Sequence, residues 1–449
     1  MDRFFKISER GSNVRTEVLA GLATFATMAY IVAVNPAILG SVSDSGGTTL
    51  PHGQLVTVTA LVAGVMTIAM GLVANVPMAL AAGLGVNSFV AFTLVAGRGL
   101  SWPDAMGVVV IEGVVMLVLV LAGLREAVMN AIPDALKRAI SAGIGLFIAL
   151  IGLVDGGLVV HPDSGTIVSI SQDFNTWNTA VFVFALVVIA ILMARNVPGA
   201  LLIGIVLATI AGVVINAISS GTPIEGAVLS GSVVARPDFG LVGNVSFHVF
   251  SAVGVGSALA LIVTVLMANF FDAMGTALAI GRRANLTDES GRLPQMRQVL
   301  VVESVGAIAG GGASASSNTI FVESTAGAAQ GGRTGFANVV TGVLFLLTMF
   351  FSPLAAIIPS AATGPALVVV GALMIGQVAG IDWSDIGVAV PAFATIALMP
   401  FTYSIANGVG AGLILYALIA IGRGRWRDVH PLLAVVAAVF VWYFLRGPV

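Results

Sequence analysis

Residues 319–332 read TIFVESTAGAAQGG and are flanked by strongly apolar sequence. An ordinary membrane-spanning helix is continuous and uncharged, yet this run is rich in Gly, Ser and Ala and carries Glu323. A carboxylate at mid-membrane costs roughly 3 kcal/mol even on the lenient insertion scale, so a chain that keeps one faces it toward a cavity or a partner. The stretch therefore predicts a broken segment lining a substrate site. Asp272, within LMANFFDAMGT (266–276), repeats the anomaly.

The remaining composition sets the class in which that anomaly must be read. With 449 residues, 58% hydrophobic and 9% charged, and a mean hydropathy of +1.06, the chain has too little polar surface for a soluble globule. It reads as an integral membrane protein in contact with the lipid bilayer. Its 54 glycines exceed the average share of about 7%, and membrane proteins use Gly for close helix approach and for broken segments. The absence of Cys excludes disulfides, thiolate catalysis and cysteine metal clusters. A net charge of -2 gives no reason to expect a nucleic-acid partner. The four His are scattered, and neither a phosphate loop nor a nucleophile–base pair is present, so no enzyme and no cofactor are expected.

Apolar windows of about 20 residues, the length of a spanning helix, recur along the chain. They place segments at 16–40, 54–75, 77–96, 103–123, 133–154, 178–195 and 197–217. The second half gives 248–279, 297–312, 314–331, 335–351, 359–379, 386–400 and 402–421, about fourteen in all. With the N-terminus in the cytoplasm, only Arg98 and Arg236 of the 19 Lys and Arg fall outside, with Arg446 in the tail unassigned. That separation follows the positive-inside rule. The opening MDRFFKISERGSNVRTE reads as a short amphipathic helix on the inner face, and 432–445 as an interfacial or packed tail helix. Pro133, Pro359, Pro391 and Pro400 are candidate bend points, and Arg333 is expected at a cytoplasmic end against head groups or backbone carbonyls.

Weak internal repetition runs through these segments. AIPDALKRAISAGIGLFIALIGL (131–153) is echoed by IIPSAATGPALVVVGALMIG (357–376), and 191–212 by 396–422. Both echoes lie about seven spans apart, and an odd repeat inverts the second copy, as in secondary transporters. The same spacing pairs MALAAGLGVNSFVAF (78–92) with ASASSNTIFVESTAGAAQ (313–330), the shortest and most interrupted segments of each half. Each reads as an extended stretch leading into a half-helix, buried or lining water. The half-helix starts, near Asn87 and Glu323, would offer free backbone N–H groups to a polar ligand.

Four motifs in register, GLGVN (83–87), FFDAMGT (270–276), FVESTAG with GGRTG (321–335) and MPFTYSIANG (399–408), resemble signatures of the nucleobase:cation symporter-2 family. The chain is most similar to its AzgA-like adenine/guanine/hypoxanthine permease branch, from the TEVLAGLATFATMAYIVAVNPAIL opening (16–39) to the HPLLAVVAAVFVWYF tail (430–444). The resemblance implies an all-α polytopic fold of two inverted seven-span repeats. The core domain would be 16–123 and 248–351, and the gate domain 124–217 and 352–421. An extracellular loop at 218–247 and a tail at 422–449 would complete it. It implies purine import with protons at the plasma membrane, Asp272 and Glu323 holding the base and taking part in coupling, Asn87 at the site, and a homodimer. Two departures stand out: Asn269 replaces the first acid of an Asp-x-x-Asp pair, and Ala82 replaces a proline before the third-span motif.

The residue chemistry agrees with such a ligand. A purine is a flat, neutral ring with N–H donors and ring-nitrogen acceptors, so it calls for carboxylate or amide hydrogen bonds and aromatic stacking. The candidate substrate residues are Asp272, Glu323, Asn87, Asn269, Phe271, Phe321, Gly85 and Ser324, with Asp272 and Glu323 as proton carriers. Asn87 could equally cap a half-helix, and Phe271 and Phe321 could be core packing. Asn269 could be an interhelical hydrogen bond. Glu112 and Glu303 read as packing or hinge acids. The competing substrate classes are xanthine, uracil or a small anion on the same fold.

Overall fold

The computed structural model describes residues 2–124, 131–160, 168–171, 174–219, 222–229, 231–289 and 292–445, with the side chains of Phe271 and Asp272 outside the described part. The first half begins with α1 (Asp2–Phe5), α2 (Val14–Met28), α3 (Ile31–Leu39) and α4 (His52–Val73), followed by strand β1 (Leu80–Ala82) and α5 (Leu84–Ser88). A stretch of π-helix, Phe89–Gly97, continues α5. Then come α6 (Trp102–Leu121), α7 (Asp134–Asp155), the small strands β2 (Val159–Val160) and β3 (Ser169–Ile170), α8 (Trp177–Ala194) and α9 (Ala200–Ile218). The second half holds α10 (Val249–Ala252), α11 (Val255–Arg283), α12 (Met296–Gly312), β4 (Asn318–Ile320), α13 (Ser324–Ala329), α14 (Gly335–Thr348) and α15 (Ser352–Ala356). It closes with α16 (Ser360–Ile375), α17 (Ile386–Phe401), α18 (Ile405–Gly422) and α19 (Pro431–Leu445).

Among the described residues, ten helices are long and apolar enough to cross a membrane, and three further apolar helices are shorter. That is fewer than the fourteen expected from hydropathy, and four of the expected segments are short or broken. The third and tenth segments are each divided into a strand and a short helix. The ninth, α12, has 17 residues and carries Glu303. The thirteenth, α17, has 16 residues and two internal prolines.

Local chemistry explains many of the helix starts. Asn13 accepts from Thr16 N at the head of α2, Ser101 from Asp104 N at α6, Thr176 from Thr179 N at α8 and Ser404 from Asn407 N at α18, each satisfying an otherwise orphaned donor. Pro133 and Pro359 stand at the N-caps of α7 and α16, so they start these helices and do not bend them; a proline lacks the N–H that a helix start leaves unpaired anyway. Pro391 and Pro400 lie inside α17.

The N-terminal helix is shorter than the sequence suggests, because Lys6 and Gly11 take left-handed backbone angles and Asp2 Oδ1 accepts from Ser8 N at 2.8 Å. Phe5 and Ile7 are buried, which docks this turn on the protein. Arg10 donates to Asn75 O and to Arg333 O, and Arg333 Nη1 donates to Arg10 O at 3.1 Å. Arg333 thus meets a backbone carbonyl, one of its two expected partners. The tail helix α19 is packed on the protein through Leu433, Ala437, Phe440 and Tyr443, and Tyr443 OH donates to Asn407 Oδ1 at 3.1 Å.

Two glycine seams hold the helices together. Gly64 and Gly71 of α4 face Gly342 and Gly335 of α14, and Gly145 and Gly152 of α7 face Gly371 and Gly364 of α16. A Cβ on Gly152 would lie 2.5 Å from Gly364 O and one on Gly342 2.6 Å from Gly64 O, distances that no side chain tolerates. In both seams the glycines are seven residues apart, two helical turns, so they repeat on one face of each helix. The second seam joins the two echoed sequences that begin with Ile-Pro.

Candidate functional site

Strands β1 and β4 are buried along their whole length. They pair antiparallel, Leu80 with Ile320, Ala81 with Thr319 and Ala82 with Asn318. Gly83 N donating to Ser317 O and Phe321 N donating to Ala79 O extend the ladder at both ends. Two strands inside a membrane leave outer backbone groups that water cannot satisfy, and side chains fill part of that need. The Thr67 hydroxyl accepts from Leu80 N at 2.9 Å and donates to Leu80 O at 3.0 Å. Glu303 Oε1 accepts from Thr319 Oγ1 at 2.6 Å and from Ile320 N at 3.3 Å. Ser324 Oγ accepts from Ala79 N at 3.0 Å. Glu303 thereby anchors β4.

A cavity of about 730 Å³ lies beside this crossing, lined among others by Tyr30, Gly85, Asn269, Thr319, Phe321 and Glu323. Its other end is lined by Asp134, Lys137, Arg138, Arg282 and Gln377. The Asp134 side chain there is 86% exposed while bonded to Lys137 Nζ at 2.8 Å, so the cavity reaches the surface among basic residues.

Glu323 stands at the N-cap position of α13, but its side chain makes no capping bond. It turns toward the break between α2 and α3, where the buried Tyr30 hydroxyl donates to Glu323 Oε1 at 2.7 Å. The Phe321 ring lies 6.5 Å from that of Tyr30, tilted by 46°. The expected free N–H groups at this half-helix are already used: Ser324 N donates to Phe321 O, Thr325 N to Val322 O and Ala326 N to Glu323 O. Recognition at this end falls to side chains.

Asn269, on α11, is buried on the cavity wall. Its Nδ2 donates to Glu112 Oε1 of α6 at 3.3 Å and to Ser317 Oγ at 2.9 Å. Gly85 also lines the cavity, and a Cβ there would run 2.7 Å from Ile144 of α7. Ser324 and Asn87 are not among the lining residues. Asn87 lies within α5, whose N-cap is Gly83, so Asn87 is not the cap. Its Nδ2 folds back toward Ala82 O at 3.4 Å, and its Oδ1 is buried without a partner among the described residues. Asp272 and Phe271 lie in α11 one turn or less beyond Asn269, and their side chains are outside the described residues.

Sequence reasoning did not single out Tyr30 or pair Glu112 with Asn269. A Tyr in an otherwise apolar span was a usable signal, since a buried phenol needs a hydrogen-bond partner. The Glu112 pairing left no local mark, because Glu112 and Asn269 are 157 residues apart.

Comparisons place this geometry among known proteins. The chain is 40% identical over 448 residues to the guanine/hypoxanthine permease PbuG of Bacillus subtilis, covering 99% of both chains. It is 39% identical over 441 residues to the adenine permease AdeQ of Escherichia coli, covering 98% of this chain and 95% of that one. The fold is similar to the transmembrane domain of the cyanobacterial bicarbonate transporter BicA, with a TM-score of 0.64 at 18% identity, over 89% of this chain and 97% of that one. The profile described as Permease family matches residues 15–410. A membrane-embedded cavity walled by a carboxylate, an amide and two crossed strands, together with these matches, shows that the chain belongs to the Permease family and is a membrane transporter, not an enzyme.

Proposed function

We propose that the protein carries purine nucleobases (adenine, guanine or hypoxanthine) across the plasma membrane together with protons, by alternating access. The observation that carries this reading is the Glu323 carboxylate, held by the Tyr30 phenol on the wall of a cavity roomy enough for a flat bicyclic ring. The relatives named for adenine and for guanine/hypoxanthine support the substrate class. Glu323 and Asn269 supply hydrogen bonds to the base edge, and Phe321 with Tyr30 supplies aromatic surface.

In this reading the two inverted seven-span halves form a core, 16–123 with 248–351, and a gate, 124–217 with 352–421. The gate helices α7 and α16, joined along their glycine seam, face the crossing strands across the cavity. The N-terminus is cytoplasmic, and the basic cavity mouth opens to the same side, so this is an inward-open arrangement. Asp272 is the main carrier of the coupling proton, and Glu323 takes part in the coupling.

The test is uptake of labelled adenine, guanine, hypoxanthine, xanthine and uracil by a strain lacking its own base permeases, with and without a protonophore. Saturable purine uptake abolished by the protonophore is expected. Uptake confined to xanthine or uracil, or undiminished by the protonophore, refutes the corresponding half of the proposal.

A further inference from the structure

Of the four signature motifs, MPFTYSIANG (399–408) alone contributes none of the described cavity-lining residues. It forms the turn between α17 and α18, where Tyr403 has a φ of 53°. A helix that ends through a left-handed residue ordinarily places Gly or Asn there, so a tyrosine kept at this position points to a use for its ring. That ring meets Phe147 of α7 edge-on, with centroids 5.2 Å apart, and Phe92 of the π-helix edge-on at 5.7 Å.

The three rings stand where the cavity ends. On α7 the lining residues run from Asp134 at the exposed mouth through Lys137, Arg138 and Ser141 to Ile144, and Phe147 follows one turn further on the same face. In the segment after β1 the lining stops at Val86, with Phe89 and Phe92 next along the helix. Past the cavity, Gly85, Phe89 and Ile405 border a gap too narrow for a water molecule. Phe92 and Phe147 are buried, whereas Tyr403 is 36% exposed, so the cluster runs from the interior to the surface on the side away from the basic mouth. A second contact ties the same two segments: Arg98, which closes the π-helix, lies 4.7 Å over the Tyr443 ring, whose hydroxyl donates to Asn407 of α18.

We propose that Phe92, Phe147 and Tyr403 form the outer gate of the transport path. Tyr403, cradled by Phe147 on the gate side, bars the cavity by packing on Phe92 of the core, and the parting of Phe92 from Tyr403 opens the site outward. The inference rests on the alternating-access reading above. Phe147 and Tyr403 both lie in the gate segments and Phe92 in the core, so the Phe92–Tyr403 contact is the one that breaks when the domains move. Edge-on rings suit a reversible seal, because they exclude water by apolar area and leave no buried hydrogen bond to be replaced on opening.

The experiment places a reporter, Ser141→Cys, on the cavity wall of a chain with no native Cys. A membrane-impermeant maleimide is applied to intact cells and to inside-out vesicles, with the amount of protein in the membrane determined for each variant. With the gate intact, labelling is fast in vesicles and slow in cells. Tyr403→Ala and Phe92→Ala are each expected to raise the ratio of cell to vesicle labelling rates about tenfold, roughly the effect of one lost aromatic pair with its buried area. Tyr403→Phe keeps the ring and leaves the ratio unchanged. A merely structural role loosens the protein toward both sides and also leaves the ratio unchanged, so unchanged ratios in the alanine variants overturn the inference. Should neither alanine variant reach the membrane, an unchanged ratio in Tyr403→Leu overturns it. Fast labelling of the reporter from the cell exterior with the gate intact overturns the inward-open reading itself, an outcome distinct from failure of the gate.

Discussion

A phenol reaching a carboxylate inside a membrane fixes the acid's direction as well as satisfying it. Tyr30 engages Glu323 Oε1 from a chain break 293 residues away. Tyr30→Phe keeps the ring against Phe321 but removes the donor. Hydrogen bonds to charged groups are worth about 1.5–3 kcal/mol, so KM for the transported base is expected to rise at least about tenfold, with protein abundance unchanged. Wild-type kinetics in this variant would show that the contact does not serve binding. Glu323, Asn269, Phe321 and Gly85 were legible in the sequence because polar, aromatic and glycine positions stand out against an apolar background. The partners of Glu323 and Asn269 were not, since Tyr30 and Glu112 come to them only through tertiary packing.

Strands three residues long survive in a membrane because side chains satisfy the groups their partner cannot. The Thr67 hydroxyl serves both the N–H and the C=O of Leu80. Thr67→Ala leaves both buried and unpaired, a loss of about 1–3 kcal/mol for each group, and should lower the midpoint of thermal unfolding in detergent, whereas Thr67→Ser should restore it. Equal midpoints for the Ala variant and the wild type would exclude this role. The strand and half-helix at each paired segment could be foreseen from their Gly and Ser interruptions. The break between α2 and α3 could not: TFATMAYIVAV (24–34) carries no charge and contains neither Gly nor Pro. The π-helix at Phe89–Gly97 likewise lies in an unmarked apolar run.

At the scale of the whole molecule, the described residues give the cavity a basic mouth, and its sidedness is open to direct measurement because the chain has no native Cys. Gln377, exposed and on the cavity wall, is a suitable reporter. Gln377→Cys should react with a membrane-impermeant maleimide in inside-out vesicles and be shielded in intact cells, with added purine slowing the reaction. The reverse pattern would invert the assigned orientation. The overall class and the positions of most segments followed from hydropathy, whereas the meeting of distant segments at one cavity required three dimensions. The glycine seams carry a further mechanical meaning. Where α4 lies on α14 and α7 on α16, main chain comes against main chain at each seam glycine, so each couple resists sliding and behaves as a stiff plank. Deformation is then displaced to softer contacts outside the planks, such as the Ile144 methyl of α7 beside Gly85 of α5, and the ligand chamber is bordered by a surface better able to slip.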